Sequence, residues 1–125
     1  MTLKNSAVED LVEKKRNPKV AIVGAGMSGI LAAIKMQDAG ISDITIFEKG
    51  EDIGGTWRDN RYPGLSCDVP AHLYTYSFAP NPEYSHRYAR GAEIHAYFKR
   101  VAKEYGVYEK VRFNSKLDKS EYKDG

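Results

Sequence analysis

The stretch VAIVGAGMSGILAAIKMQDAG, Val20 to Gly40, decides the fold. Together with Lys19, its opening is a continuous aliphatic run ending at Gly24, the pattern expected of a strand buried on both faces of a parallel sheet. From Ser28 onward Ile30, Leu31, Ile34 and Met36, interleaved with Ala32, Ala33 and Ala39, recur at helical spacing. That spacing predicts a helix of about three turns stopping at Gly40. DITIFEK, residues 43–49, then reads as a second strand. Strand, turn, helix and strand within about thirty residues make a βαβ unit.

The glycines between strand and helix, in Gly24-Ala25-Gly26-Met27-Ser28-Gly29, need a physical reason. The first permits a tight turn out of the strand. The second lets the backbone approach a pyrophosphate with no Cβ in the way, and the third lets helix and strand pack closely. The unpaired N–H groups at the helix start and its positive dipole end would face that phosphate. A bare GxGxxG is weak evidence, but here it follows a strand, opens a helix, and is followed by Glu48 at the end of the next strand. Glu48 is expected to accept hydrogen bonds from the ribose hydroxyls of an adenosine moiety and to repel a 2′-phosphate. A solvated strand-end charge is the competing reading. No GxxxxGK[ST] occurs, which argues against a nucleoside-triphosphate loop.

Length and composition bound the rest. A chain of 125 residues holds one modest domain, and 42% hydrophobic with 29% charged residues is a globular composition. The 19 basic and 17 acidic residues are interspersed, so nothing asks for nucleic acid. Cys67 is alone and reads as an inert buried thiol; His72, His86 and His95 have no metal-ligand spacing, so no metal is expected. No apolar run is long enough for a membrane span, and the polar start TLKNSAVEDLVEKKR does not read as a signal peptide, which together predict a cytoplasmic protein. Residues 1–18 read as an N-terminal extension in which Ser6 and Glu9 suggest a capping box for a short helix, broken at Asn17-Pro18.

The fingerprint alone does not separate NAD from FAD. Downstream, FEKGEDIGGTWRDNRYPGLSCDVPAHLYTYSF places Gly54-Gly55 just after the acidic strand, where a glycine pair lets a second backbone segment close over a long cofactor. From Lys19 to its end the chain resembles the amino-terminal FAD-binding part of the class B flavoprotein monooxygenases. Within them, GGTW, NRYPG, CDVP and YTYSF are most similar to the Baeyer–Villiger monooxygenases. The resemblance implies an α/β, Rossmann-like βαβ FAD-binding fold in residues 19–125, with an incomplete parallel sheet and no NADPH domain. It implies that Gly24, Gly26, Ser28 and Gly29 cradle the FAD pyrophosphate and that Glu48 holds the adenosine ribose. Gly55, Thr56, Trp57, Arg58 and Asp59 fall in the family's second flavin-contacting stretch. Asp68 matches a position beside the isoalloxazine, Tyr74 a further flavin contact, and Leu117 a residue whose backbone meets the adenine.

For an intact enzyme the resemblance implies that NADPH reduces FAD, and that a flavin peroxide inserts oxygen beside a ketone carbonyl to give an ester or lactone. Asp68 would there help orient a cationic side chain from beyond residue 125. Flavin-containing N- or S-oxygenating monooxygenases share the early glycines and remain an alternative. A cofactor-free, non-enzymatic remnant and an NAD-dependent dehydrogenase domain are the other two. Trp57 as a packing anchor and Asp68 as a turn cap before Pro70 are competing readings of those residues.

Three local expectations complete the reading. Tyr62-Pro63-Gly64 is turn chemistry, and Tyr74 to Ser77 alternates like a half-buried strand. RGAEIHAYFKRVAKEYG predicts a helix burying Ile94, Tyr97, Phe98, Val101 and Tyr105 and ending at Gly106. KVRFNSKLDKSEYKDG reads as strand material closing on Asp124-Gly125, a preferred hairpin pair with no returning strand. With the family's second GxGxxG and its His and Trp-Pro fingerprint also absent, a fragment is expected, the missing part being either lost or a separate chain.

Overall fold

The computed structural model describes residues 17–124. The expected N-terminal helix and the residue Gly125 of the expected hairpin turn lie outside the described residues. Three strands, β1 (Val20–Val23), β2 (Ile44–Phe47) and β3 (Val111–Arg112), form one parallel sheet in the order β1-β2-β3. Helix α1 (Met27–Asp38) connects β1 to β2, so the expected βαβ unit is present. The register pairs Val20 with Ile44, Ile22 with Ile46, and Ile46 with Val111. Partners in a parallel ladder share a face, so these aliphatic side chains line one side of the sheet.

That side carries the core. Ile30, Ala33 and Ile34 of α1 and Ile94, Phe98 and Val101 of a later helix, α3 (Gly91–Glu104), are all buried. The expected stripe on α3 is therefore present, except that Tyr105 is partly exposed and sets its ring edge-on against Phe78, 5.3 Å between centroids. Both helices end as their glycines dictate: Gly40 and Gly106 stand just past the C-caps at φ +85° and +66°, a conformation that costs a side-chain-bearing residue free energy.

The opposite face corrects the first expectation. β1 is not buried on both sides: its residues alternate between half-buried and exposed, and Val23 is 62% exposed. Burial on both faces needs a layer of helices on each, and among the described residues the helices that contact the sheet carry the core on one. Two further expectations also fail. The segment after Glu109 is a strand only over Val111–Arg112, because beyond it the backbone turns at Asn114 (φ +51°) and bonds to the loop after β2 rather than continuing a ladder. The Tyr74–Ser77 stretch is not a strand. It follows a 3-10 turn, Ala71–Leu73, and only Tyr76 makes an isolated bridge, to Ala79. Tyr76 does face the core. Leu65 N–H donates to the Tyr62 carbonyl at 3.3 Å with Gly64 at φ +80°, the turn expected of Pro63-Gly64. Among the described residues no helix is long and apolar enough to cross a membrane.

Candidate functional site

The site starts at the corner where β1 gives way to α1. Gly24 leaves the strand at φ +92°, and Gly29 sits one turn into the helix, where a Cβ would collide with the Gly24 carbonyl. The third glycine thus does what its spacing predicts: it lets α1 press on the turn. Gly26 is the N-cap of α1 and no side chain caps that end, so the first-turn N–H groups lack both an intrahelical acceptor and a side-chain one.

A second loop folds down onto this corner. Gly54 N–H donates to the Ala25 carbonyl at 3.0 Å, and Gly55 (φ +52°) lies so close that a Cβ on it would come within 3.2 Å of Gly26 Cα. Glycine on both sides makes a backbone-to-backbone approach possible. After Gly55 comes one short helical turn, α2 (Thr56–Asp59), which sends Trp57 and Arg58 in different directions. The Trp57 indole N–H donates to the Tyr74 hydroxyl at 3.1 Å, and the rings meet edge-to-face at 5.8 Å. Trp57 is half-buried, so it packs and walls a cleft at once.

Two clefts meet at the apposed glycines. One, of 350 Å³, runs along Gly26 to Gly29 and is closed by Trp57 and Tyr74. The other, of 410 Å³, passes Phe47, Glu48 and Lys49 and reaches Ser115, Lys116 and Leu117. Val23, Gly24, Gly26, Gly55 and Thr56 border both.

Glu48 stands at the root of the second cleft and is no solvated charge, being 3% exposed. Its Oε2 accepts the Ala25 N–H at 2.8 Å; its Oε1 accepts the Gly50 N–H at 2.7 Å and Arg58 Nη1 at 2.8 Å. Burial by itself would raise its pKa, but the two backbone N–H groups and the guanidinium outweigh burial and hold it below the ordinary carboxylate value. Arg58, 7% exposed, is raised by its hydrogen bond to Asp59 above all, with Glu48 adding to it against the effect of burial.

The structure therefore gathers most of the expected residues. Gly24, Gly26, Ser28, Gly29, Gly55, Thr56, Trp57 and Tyr74 border the first cleft, and Glu48, Arg58, Asp59 and Leu117 the second. Asp68 borders neither and is exposed. Sequence reading missed Lys49, Ser115 and Lys116. Their signal lay in strand pairing: Glu48 N–H donates to the Arg112 carbonyl and Ser115 N–H to the Glu48 carbonyl, both at 2.9 Å, which carries the segment after β3 past the end of β2.

A family profile described as an NAD(P)-binding Rossmann-like domain matches residues 22–98, from β1 into α3. The chain belongs to that family. This Rossmann-like domain is 51% identical over 110 residues to an uncharacterized monooxygenase of Mycobacterium tuberculosis, covering 88% of the chain and 22% of that relative. It is 44% identical over 99 residues to a Baeyer-Villiger monooxygenase of Streptomyces coelicolor, covering 79% and 19%. Among solved structures it superposes on OTEMO in complex with FAD and NADP with a TM-score of 0.71 and 36% identity, over 77% of the chain and 19% of OTEMO. The Rossmann-like domain thus spans about a fifth of the length of the curated relatives it matches, and the resemblance to Baeyer–Villiger monooxygenases stated from its motifs holds.

Proposed function

We propose that the chain is the FAD-binding N-terminal part of an NADPH-dependent flavin monooxygenase of the Baeyer–Villiger type, whose complete form turns ketones into esters or lactones. The observation that carries this reading is the pair of clefts meeting at Gly26 and Gly55. A dinucleotide has the same plan, two bulky halves joined by a compact pyrophosphate. A ligand with one half would leave a cleft unused.

The residues fit FAD. A methyl group on Gly26 would project at the junction the two clefts share, so a bare backbone suits close approach of phosphate. The N–H groups opening α1 donate to the pyrophosphate, Glu48 accepts from the ribose, and the Leu117 segment borders the adenine. Trp57 and Tyr74 wall the flavin side, with Thr56 and Asp59 on the α2 turn between the halves. Bound FAD would supply the redox and oxygen-transfer chemistry, and the chain binds, orients and shields it. Asp68 is assigned an electrostatic role toward a cation supplied from elsewhere, since it holds no place in either cleft wall. NADPH and ketone sites belong, on this reading, to a longer protein or to a partner chain, in the cytoplasm, and residues 19–125 are one part of its FAD domain.

The experiment is a titration of the purified 125-residue chain with FAD, followed by gel filtration. Retained yellow colour and quenched flavin fluorescence are expected. Thermal stabilisation by NADPH with none by FAD would replace this reading with a nicotinamide-binding one.

A further inference from the structure

We propose that Arg58 is a positioning residue for nucleotide recognition, which acts by clamping the Glu48 carboxylate against the glycine turn rather than by touching the ligand. The inference rests on the nucleotide reading above and assigns a task inside that site.

A carboxylate offers about four acceptor positions. In Glu48 three are filled, by Ala25 N–H, Gly50 N–H and Arg58 Nη1, which leaves one on Oε2, and Glu48 lines the second cleft. Two N–H groups on Oε1 and one on Oε2 fix the carboxylate plane. The Ala25 bond in addition ties it to the phosphate turn, so the ribose acceptor and the phosphate donors are set relative to each other.

Arg58 is itself held on every side. Nη1 also donates to the Asp52 carbonyl at 2.5 Å, while Nε and Nη2 both reach Asp59 Oδ1 at 2.9 Å. Asp52 is anchored in turn by Lys99 at 2.6 Å and by the Tyr108 hydroxyl at 2.9 Å, from α3 and the turn after it. A Cβ on Gly50 would run into the guanidinium where it now lies, so a side chain there would displace Arg58 from this position. A planar fork with several donors can serve Glu48, Asp52 and Asp59 together, and lysine's single ammonium on a flexible stem cannot keep all three in one geometry. The guanidinium is shared between Glu48 and Asp59, so the cluster of two carboxylates and one cation keeps a net negative charge beside the cleft.

The test is equilibrium binding of ADP and of 2′,3′-dideoxy-ADP to the full chain and to its Arg58→Lys, Arg58→Met, Glu48→Gln and Arg58→Met/Glu48→Gln variants. Arg58→Met is expected to weaken ADP about tenfold or more and dideoxy-ADP less than about twofold, since only ADP carries the hydroxyls that Glu48 reads. Arg58→Lys should recover part of that loss, and in the Glu48→Gln background the Arg58 change should add little. Equal loss of both ligands, or a full additional loss in the Glu48→Gln background, would overturn the clamp while leaving the nucleotide reading intact. Failure of the unaltered chain to bind ADP would overturn both. Should Arg58→Met not fold, the selectivity of Arg58→Lys for ADP over dideoxy-ADP decides the matter.

Discussion

Gly55 is packed against Gly26 backbone to backbone, 3.2 Å separating the Cβ that Gly55 lacks from Gly26 Cα. The contact seats the loop after β2 on the turn after β1, and the two clefts exist on either side of it. The two glycines are nonetheless required for different reasons. Gly55 is at φ +52° and ψ −121°, a backbone region that side chains disfavour, whereas Gly26 is at φ −79°.

Alanine at the two positions should therefore separate stability from binding. Gly55→Ala is expected to cost about 1–3 kcal/mol, from backbone strain plus the close contact. Gly26→Ala meets only an ordinary contact at 3.7 Å and should change stability by less than about 1 kcal/mol while weakening FAD and ADP through its methyl group in the cleft. Urea unfolding and nucleotide titration of both variants check this; matching stability losses would contradict it.

Acid should unfold the protein partly through Glu48. Its pKa is lowered in the folded state, so the native protein binds fewer protons than the unfolded chain between that lowered value and the ordinary glutamate value of about 4.3. The stabilisation is complete above about pH 4.3 and is lost as the pH falls through the folded value. Asp52 and Asp59 are lowered too and act in the same direction. Glu48→Gln is expected to flatten the stability profile below about pH 4.5 without abolishing its slope, as measured by urea unfolding at stepped pH.

Breaking the buried pair from the other side should be severe. Arg58→Met leaves the Glu48 carboxylate buried beside an apolar chain and is expected to cost about 3–5 kcal/mol at neutral pH. Protonation of that carboxylate relieves part of the cost, so the deficit should shrink toward acid pH, the opposite of the unaltered protein's trend.

The aromatic wall gives a graded series. Tyr74→Phe removes the acceptor for the Trp57 indole N–H and is expected to cost about 0.5–1.5 kcal/mol. Tyr74→Ala also loses edge contacts to Trp57 and Phe98 and should cost about 2–4 kcal/mol. Thermal or urea unfolding reads both. Asp68→Ala, at an exposed position, should stay within about 0.5 kcal/mol of the unaltered chain.

Tyr97→Phe tests the scaffold beneath the site. The Tyr97 hydroxyl accepts the Tyr76 N–H at 2.9 Å and donates to the Ala79 carbonyl at 2.6 Å, holding the irregular segment that carries Tyr74 and Tyr76. Its loss strands two backbone groups and is expected to cost about 1–3 kcal/mol, with amide exchange at Tyr76 rising sharply.

What could be read from the residues was local. β-branched runs, the helical spacing of Ile30, Leu31 and Ile34, and glycines just past each helix end act through near neighbours, and so the βαβ unit, the glycine turn after β1 and α3 were legible in one dimension. Periodicity also found the core face of α3, where Ile94, Phe98 and Val101 recur. It failed for β1, because an aliphatic run looks the same whether one face or both are covered, and coverage depends on which layers pack there. It failed after Arg112 and around Tyr76 for the same kind of reason: those segments are shaped by distant partners, Glu48 and Gly50 in one case and Tyr97 and Met27 in the other. Glu48 shows the division most clearly. Its place at the end of β2, beside the glycine turn, was legible in the sequence, but only folding could decide that three donors from Ala25, Gly50 and Arg58 would surround it, since burying a charge requires partners that no single stretch of chain contains.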